Sequence, residues 1–438
     1  MKKILILSYH FPPMNVIASQ RALGYANHFK KFGFEPTILT FDWSKKIEDQ
    51  YCTKSDFELL IKKEINDEYS VIRIPVLRNN FLDWMGRKEG SVYYKFWVLK
   101  CWFTGDLDVR PDVIAFGRSE KYYIENFIKT SDYDVVLGIF SPHFHLKNCF
   151  EFNRKKGISY ALDFRDLWTN TAANIDQQTG FVERIRDRFI KKYWKRFSSK
   201  AKLLSIVGNE WVKELSNFTQ HSNVLSIYNG FENDLVSEKE NVDFDQFRIV
   251  YSGTLYEWQD YQIMIDGIQD FLINLSLENR NQVEIHFPGT RKPGFEVVLD
   301  YITNRLGEFN LNLTERIPKE EALKIQRNAN VLLFATSSKI RGFYSGKIFE
   351  YISSGTPIFA GPLDEKAVCD LINETGSGFI YNDQSQLSNL LADSFKIWED
   401  KSSFVLNNRN LKLIREFSRE NQTKILASEI NKTLHDHN

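Results

Sequence analysis

Cysteine, proline and glycine are all scarce in this chain of 438 residues, at 4, 11 and 22 respectively. The four cysteines, Cys52, Cys101, Cys149 and Cys369, are far apart and form no Cys-x-x-Cys pair, which excludes a disulfide framework and a zinc ribbon and fits a reducing cytoplasm. An excess of either charge is missing as well: Lys+Arg and Asp+Glu both number 57, so no global pull toward nucleic acid exists, although local basic patches can form. Long apolar runs are absent. The first, Ile4 to Ser8, is too short for a signal-peptide core or a membrane span and reads as a strand. Neither a Gly-x-Gly-x-x-Gly nor a Walker loop occurs, which disfavours dinucleotide oxidoreductases and NTPases, and no spaced acid pair marks a glycoside hydrolase. What is abundant is aromatic: 14% of residues, with Phe 35 and Tyr 19.

At roughly 150 residues per domain the length predicts two or three domains. Lys3 to Ser8 is a continuous apolar run, as in a parallel strand covered on both faces; Ala22, Tyr25, Ala26 and Phe29 recur at helical spacing up to Gly33, and Pro36 to Phe41 is a second strand. The pattern fades, then resumes with strands at Val135–Phe140, Ser159–Asp163 and Leu203–Val207, separated by helices at His145–Arg154 and Val182–Ser199. Residues 233–244 are acidic and poor in large apolar groups, so they read as a linker between an N-terminal domain, 1–232, and a C-terminal domain, 245–418. The second series has strands at Phe247–Ser252, Val283–Phe287, Val331–Phe334 and Pro357–Ala360, with helices at Gln262–Leu275, Lys319–Asn328 and Lys347–Ser353. A last helix, Arg419–Leu434, begins a segment 419–438 expected to pack back on the N-terminal domain. The fold class is α/β, with two Rossmann-like doubly wound domains facing across a cleft, where such folds bind ligands at the carboxyl ends of their strands.

The stretch Gly342 to Ile358 is the most specific. A loop opens a helix whose free N–H groups favour a phosphate, Lys347 adds a point charge, and Glu350, one turn further, can accept bonds from a sugar diol. A plainer reading makes Lys347 and Glu350 a surface helical pair. Ser141-Pro142-His143-Phe144-His145 ends a strand, so His143 and His145 are candidates at the cleft; a zinc site would need a third ligand that the spacing does not supply. After the next strand come Asp163, Arg165 and Asp166. One carboxylate can hold or deprotonate an acceptor hydroxyl, or the three can form an internal Arg-Asp network. Likewise His10 and Arg21 either reach a phosphate or serve structure.

Two segments mix basic and aromatic residues. Val182 to Lys200 carries eight Lys and Arg against Glu183 and Asp187, and Phe81 to Phe103 interleaves Trp84, Tyr93, Tyr94, Phe96, Trp97 and Trp102 with Arg87, Lys88, Lys95 and Lys100. Each suits an anionic bilayer surface or a core-facing helix with a solvated basic side. No recognised nucleic-acid module is present, so nucleic acid is not expected as a partner.

The Gly342–Ile358 stretch resembles the donor segment of retaining glycosyltransferases of family 4, which have the GT-B fold. Tyr9-His10-Phe11-Pro12-Pro13 with Ala18-Ser19-Gln20-Arg21 is similar to the opening of the bacterial polysaccharide-assembly members, and Asp163-Phe164-Arg165-Asp166-Leu167-Trp168, Asn229-Gly230-Phe231, Gly253-Thr254-Leu255 and Phe417-Ser418-Arg419-Glu420-Asn421 match later segments in order. The resemblance covers nearly the whole chain. It implies a nucleoside-diphosphate sugar as co-substrate, held by Gly253, Thr254, Arg316, Ile317, Arg341, Gly342, Phe343, Tyr344, Ser345, Lys347 and Glu350, with Glu350 on the ribose and the backbone of Arg316 and Ile317 at the base. His10, Asn15, Arg21 and Arg165 fall on the acceptor or phosphate side, and His145, favoured over His143, meets the sugar, with Asp163 and Asp166 as further catalytic candidates. No other cofactor and no metal are implied.

Three departures stand out. The first acid of the family's Glu-x7-Glu motif is replaced by Gly342, the usual Arg and Lys against the diphosphate by Thr254 and Gln259, and the paired glycines of the first loop by Met14-Asn15-Val16. Lys347, Lys339, Arg341, Arg291 and Lys292 are the cations left to the donor. The expectation is a metal-independent, cytoplasmic glycosyltransferase, peripheral on the inner membrane face, that acts on a glycan or polyprenyl-linked acceptor in surface polysaccharide synthesis. A nucleotide-sugar 2-epimerase and a non-catalytic nucleotide-binding component of an assembly complex are the alternatives.

Overall fold

The computed structural model describes residues 1–14, 16–167, 180–232, 245–338, 340, 342, 344–362, 367–400, 406 and 408–435. The chain divides into two compact units, one formed by Met1–Tyr228 with Arg419–Asn438, the other by Asn229–Ser418. The expected linker, 233–244, lies outside the described residues.

In the first unit the strands in chain order are β1 (Lys2–Leu7), β2 (Phe34–Phe41), β3 (Tyr51–Cys52), β4 (Lys62–Ile65), β5 (Ser70–Ile74), β6 (Val76–Leu77), β7 (Val135–Phe140), β8 (Ser159–Phe164), β9 (Leu203–Ile206) and β10 (Val224–Ser226). Eight of them form one sheet, in the order β10-β9-β8-β7-β1-β2-β5-β4, parallel except where β4 joins β5. The central strands are buried along their length, which is why they read as unbroken apolar runs. Ile4 and Ile6 of β1 and Leu137 and Ile139 of β7 share a core with Ala22, Tyr25 and Ala26 of the helix Ile17–His28. That helix ends earlier than its periodicity predicts: Phe29–Phe32 tightens into a 3-10 turn before Gly33 adopts φ 87°. The last helix, Arg419–His435, adds Leu426, Ala427 and Ile430 to this core.

The irregular stretch of the sequence contains real structure. It holds the helices Asn80–Gly86, Val92–Thr104 and Pro111–Phe127, the first two started by Asn79 and Ser91 side chains that accept from Leu82 N and Tyr94 N.

The second unit has β11 (Phe247–Val250), β12 (Val283–Phe287), β13 (Leu311–Leu313), β14 (Val331–Ala335), β15 (Ile358–Gly361) and β16 (Gly378–Ile380), all parallel, in the order β13-β12-β11-β14-β15-β16. Its core joins Ile249, Leu333 and Phe359 of the sheet to Met264, Ile265 and Ile268 of the helix Tyr261–Ile273 and to Leu387 and Leu391 of the helix Gln384–Glu399. In both sheets the strand order reverses beside the first strand, between β1 and β7 and between β11 and β14. Loops leave such a point in opposite directions, so a crevice opens at the carboxyl ends of the two strands.

Candidate functional site

In the first unit the residues singled out by sequence cluster at this reversal point. Arg21 and Asp163 meet as a two-pronged ion pair, Nε to Oδ2 and Nη2 to Oδ1 both at 2.7 Å, and both are buried. Asp163 also accepts from Ser205 Oγ at 2.6 Å and Tyr25 Oη at 3.2 Å, while Arg21 Nη1 donates to the Ile227 carbonyl at 3.0 Å. Burial alone would lower the guanidinium pKa, but Asp163 outweighs it and the net shift is upward. Of the two readings, this is the internal network. A carboxylate with no exposed surface and four donors has no lone pair to spare for an acceptor hydroxyl, and Arg21 is committed to it in place of a phosphate.

The two histidines are also enclosed. His143 Nδ1 lies 3.1 Å from Asp108 Oδ1, and the other oxygen of Asp108 accepts Phe144 N at 3.0 Å, so one aspartate both orients the imidazole and caps the helix Phe144–Lys156. His145 is completely buried, its Nδ1 2.9 Å from Oε2 of a buried glutamate, Glu120, whose other oxygen accepts Asn148 Nδ2 at 2.9 Å. His145 therefore stands behind the surface at this strand end, not on it. The half-buried groups there are His10, Arg165 and Asp166. Arg165 ties β8 to β7 by donating Nε to the Phe140 carbonyl at 3.1 Å and Nη2 to Ser141 Oγ at 3.3 Å, and burial lowers its pKa. Burial, then Arg165 and His145, pull the His10 imidazole down to about 3, so it is neutral at physiological pH. The Asp166 side chain hydrogen-bonds to no other described residue, so its oxygens can receive a ligand. Beside Phe144 and Asn148 lies a cavity of about 230 Å³, also lined by Asp106, Arg118, Lys121 and Lys147. Lys147 is held by Asp106 at 2.6 Å and Lys121 by Glu151, whereas Arg118 is exposed and pairs with no other described residue.

In the second unit the carboxyl end is built mainly of backbone. Gly253, after β11, has φ 94° and donates to the Pro288 carbonyl at 2.7 Å; Gly289, after β12, has φ 78° and donates to the Glu315 carbonyl at 3.1 Å. A methyl group on Gly289 would lie in contact with the next two loops, 3.4 Å from Gly253 Cα and 3.9 Å from Arg316 Cα, so three successive loops stack as a ledge, and the positive φ of Gly253 and Gly289 disfavours side chains there. Arg316 is exposed and Ile317 half-buried. Over Gly253 sits Lys347: its Nζ donates to Tyr251 Oη at 2.8 Å and to the Thr254 carbonyl at 3.2 Å, and lies 4.2 Å from the Tyr251 ring centre. Burial pulls the ammonium down to about 7, with Glu350 acting in the opposite sense. The surface-pair reading of Lys347 and Glu350 fails, because Lys347 turns inward and Glu350 Oε1 lies 3.8 Å from Lys319 Nζ.

The helix Gly346–Ser354 begins as the sequence predicts, but its N–H groups are not all free. Ser345 Oγ accepts Lys347 N at 3.3 Å and the Ser345 carbonyl accepts Ile348 N at 3.2 Å, leaving Gly346 N–H without a partner among the described residues. One unpartnered N–H falls short of a full anion nest. Tyr344 is buried, and Gly342 is buried with φ 70°. Asn15, Lys339, Arg341 and Phe343 lie outside the described residues. Gln259, where relatives carry a cation, is buried and braces two loops, accepting Tyr256 N at 3.0 Å and donating to the Ala335 carbonyl at 2.5 Å. Arg291 and Lys292 are exposed.

Asp108, Glu120, Arg118 and Tyr251 were not singled out by the sequence. Each comes from an element remote from the motif it serves, and only Tyr251, two residues before Gly253, had a local signal. Among the described residues no three His, Cys, Asp or Glu side chains gather as metal ligands, and no described helix is long and apolar enough to cross a membrane.

No protein-family model matches the chain, and no curated protein matches it in sequence. Solved structures do. Sucrose-phosphate synthase from Thermosynechococcus elongatus superposes with a TM-score of 0.64 at 12% identity over 100% of both chains. An α,α-trehalose-phosphate synthase (UDP-forming) from Burkholderia vietnamiensis gives 0.65 at 10% identity over 99% of each. An E. coli trehalose-6-phosphate structure bound with UDP-2-fluoro glucose gives 0.60 at 12% identity, again over 99% of each chain. At such identities the likeness speaks to the fold: this chain has the GT-B fold, with two Rossmann-like units.

Proposed function

We propose that the protein is a glycosyltransferase that moves a sugar from a nucleoside-diphosphate donor to a glycan or polyprenyl-linked acceptor in surface polysaccharide synthesis, at the cytoplasmic membrane face. The observation that carries this reading is Lys347 at the second reversal point: a desolvated ammonium above a glycine ledge, on the first turn of a helix whose Gly346 N–H has no partner among the described residues. That combination suits a diphosphate, whose negative charge would repay the desolvation of the lysine. Glu350, one turn along and only loosely paired, is free to take a ribose diol. Two of the similar structures, a UDP-forming synthase and one bound with UDP-2-fluoro glucose, lend support.

On the acceptor side we place Asp166 and His10, with Arg165, at the sheet end, and Arg118 in the adjoining cavity. Asp163 and Arg21 hold the frame. His145 and His143 act from behind it. Charge on the departing diphosphate is neutralised by Lys347 and Gly346 N–H. Retention of configuration is what the resemblance to family 4 implies; if configuration is retained, attack and departure take place on one face of the sugar, since no side-chain nucleophile is apparent near the donor among the described residues.

The test is turnover with a panel of nucleotide sugars and a membrane extract. Transfer of label into glycan is the expected result; nucleoside diphosphate released without glycan transfer points to the epimerase, and binding without turnover to a scaffold component. Glu350→Ala should weaken donor binding at least about tenfold, since charge-assisted bonds of this kind contribute about 1.5–3 kcal/mol. Unchanged affinity would remove Glu350 from the site.

A further inference from the structure

The two basic and aromatic segments part ways in the structure. The helix Phe181–Ser198 buries Ile190, Tyr193, Trp194 and Phe197 and turns Arg184, Arg188, Lys191, Lys192, Lys195 and Arg196 to solvent, so its apolar face is already used. The helix Val92–Thr104 does the opposite. Trp97, Cys101 and Trp102 fill the core, yet Val92, Phe96, Leu99 and Phe103, at i, i+4, i+7 and i+11, form a second apolar stripe that faces out, with Phe96 and Phe103 each 67% exposed. Trp84 of the preceding helix extends it, 5.9 Å from the Tyr93 ring, and Phe103 packs 4.9 Å from Phe189, which links the stripe to the basic helix.

We infer that Val92–Thr104 is a membrane-docking helix, whose outer stripe enters the interface of an anionic bilayer while Lys95, Lys100 and the basic face of Phe181–Ser198 engage lipid headgroups. Charge selects this occupant. A contiguous apolar stripe on a soluble surface marks a partner, and a second copy of the chain would bring basic flank against basic flank. A bilayer rich in anionic lipid satisfies both features, since aromatic rings settle at the headgroup level and each nearby Lys or Arg adds attraction. Lys88 and Lys100, 6.0 Å above the rings of Trp84 and Phe81, place cations at the rim of the apolar surface. The inference deepens the membrane-face reading above. Its test uses no nucleotide sugar, so failure here leaves the donor assignment standing, and the reverse also holds.

The experiment is cosedimentation of the full chain with vesicles of phosphatidylcholine alone or with added phosphatidylglycerol, at low and high salt, for the wild type, Tyr93→Glu/Phe96→Glu and Lys191→Glu/Lys195→Glu. Both pairs are exposed, and circular dichroism and the melting temperature check that each variant folds. The wild type should pellet with anionic vesicles and release as salt rises. The first variant should bind at least about tenfold more weakly because two rings are lost from the interface, and the second should lose its salt-sensitive part. Absence of pelleting, wild-type binding by Tyr93→Glu/Phe96→Glu, or a dimer in sedimentation velocity that this same variant abolishes would each overturn the assignment. Should either variant misfold, quenching of wild-type tryptophan by brominated anionic lipid decides, and no quenching counts against it.

Discussion

The two strand-order reversals of this molecule are finished in different ways. Beside β1 and β7, polar side chains are locked to one another: Arg21 on Asp163, His143 on Asp108, His145 on Glu120. Beside β11 and β14 the scaffold is backbone, Gly253 against Pro288 and Gly289 against Glu315, and one lysine is left over it with neutral hydrogen-bond partners and Glu350 as its nearby opposite charge. A closed network of partners gives rigidity and little affinity, whereas a desolvated cation whose charge is only partly offset favours an arriving anion. The first end reads as a frame and the second as a seat.

Breaking the frame should have the largest effect. Asp163→Ala strands the Arg21 guanidinium in the core, and loss of one partner of a buried pair costs about 3–5 kcal/mol, read as a lower denaturation midpoint. Next comes the ledge. Gly253→Ala forces a side chain to φ 94° with its Cβ 3.6 Å from Lys347 Nζ, a strain of about 1–3 kcal/mol that should also weaken nucleotide binding. A loss of stability for Gly253→Ala equal to that for Asp163→Ala would erase the distinction between the two ends.

The remaining tests lie in pH dependence, and they sharpen the comparison. Lys347 titrates at about 7 in the folded protein against 10.5 ordinarily, so between these values the unfolded chain binds more protons and the stability contribution rises with pH. Lys347→Met should flatten that rise and stabilise the protein at and below neutrality. His10, at about 3 against 6.5, contributes stability that is lost as pH falls from about 6.5 toward 3, and His10→Gln should lessen the acid decline. Melting curves across pH separate the two windows.

Much of this architecture was legible from periodicity. β1, β7, β8 and β14 are largely buried strands whose apolar runs are hard to mistake, and Gly253 and Lys347 lie at loop and helix starts with local signals. The stretch from residue 51 to 127 was not. Val92–Thr104 is apolar on two faces, so no single stripe emerges from its sequence, and Pro111–Phe127 buries Ser119 and Glu120 along with its apolar residues, which blurs the 3.6-residue period. The bonds to the histidines were hidden for another reason: Asp108 and Glu120 stand 35 and 25 positions before His143 and His145, and only the packing of helices brings them together. The same limit applies to Asp163. Its motif suggested chemistry, but its four donors come from two other elements, the helix Ile17–His28 and β9.

The most direct test of the seat is calorimetric titration of the full chain with UDP, GDP and the deoxythymidine diphosphate, in the wild type and in Lys347→Ala. One of the three should bind the wild type, and Lys347→Ala should bind it at least about tenfold more weakly, the loss of a single charge-assisted contact. If none binds, or if Lys347→Ala binds as tightly as the wild type, the anion seat in the second unit does not exist.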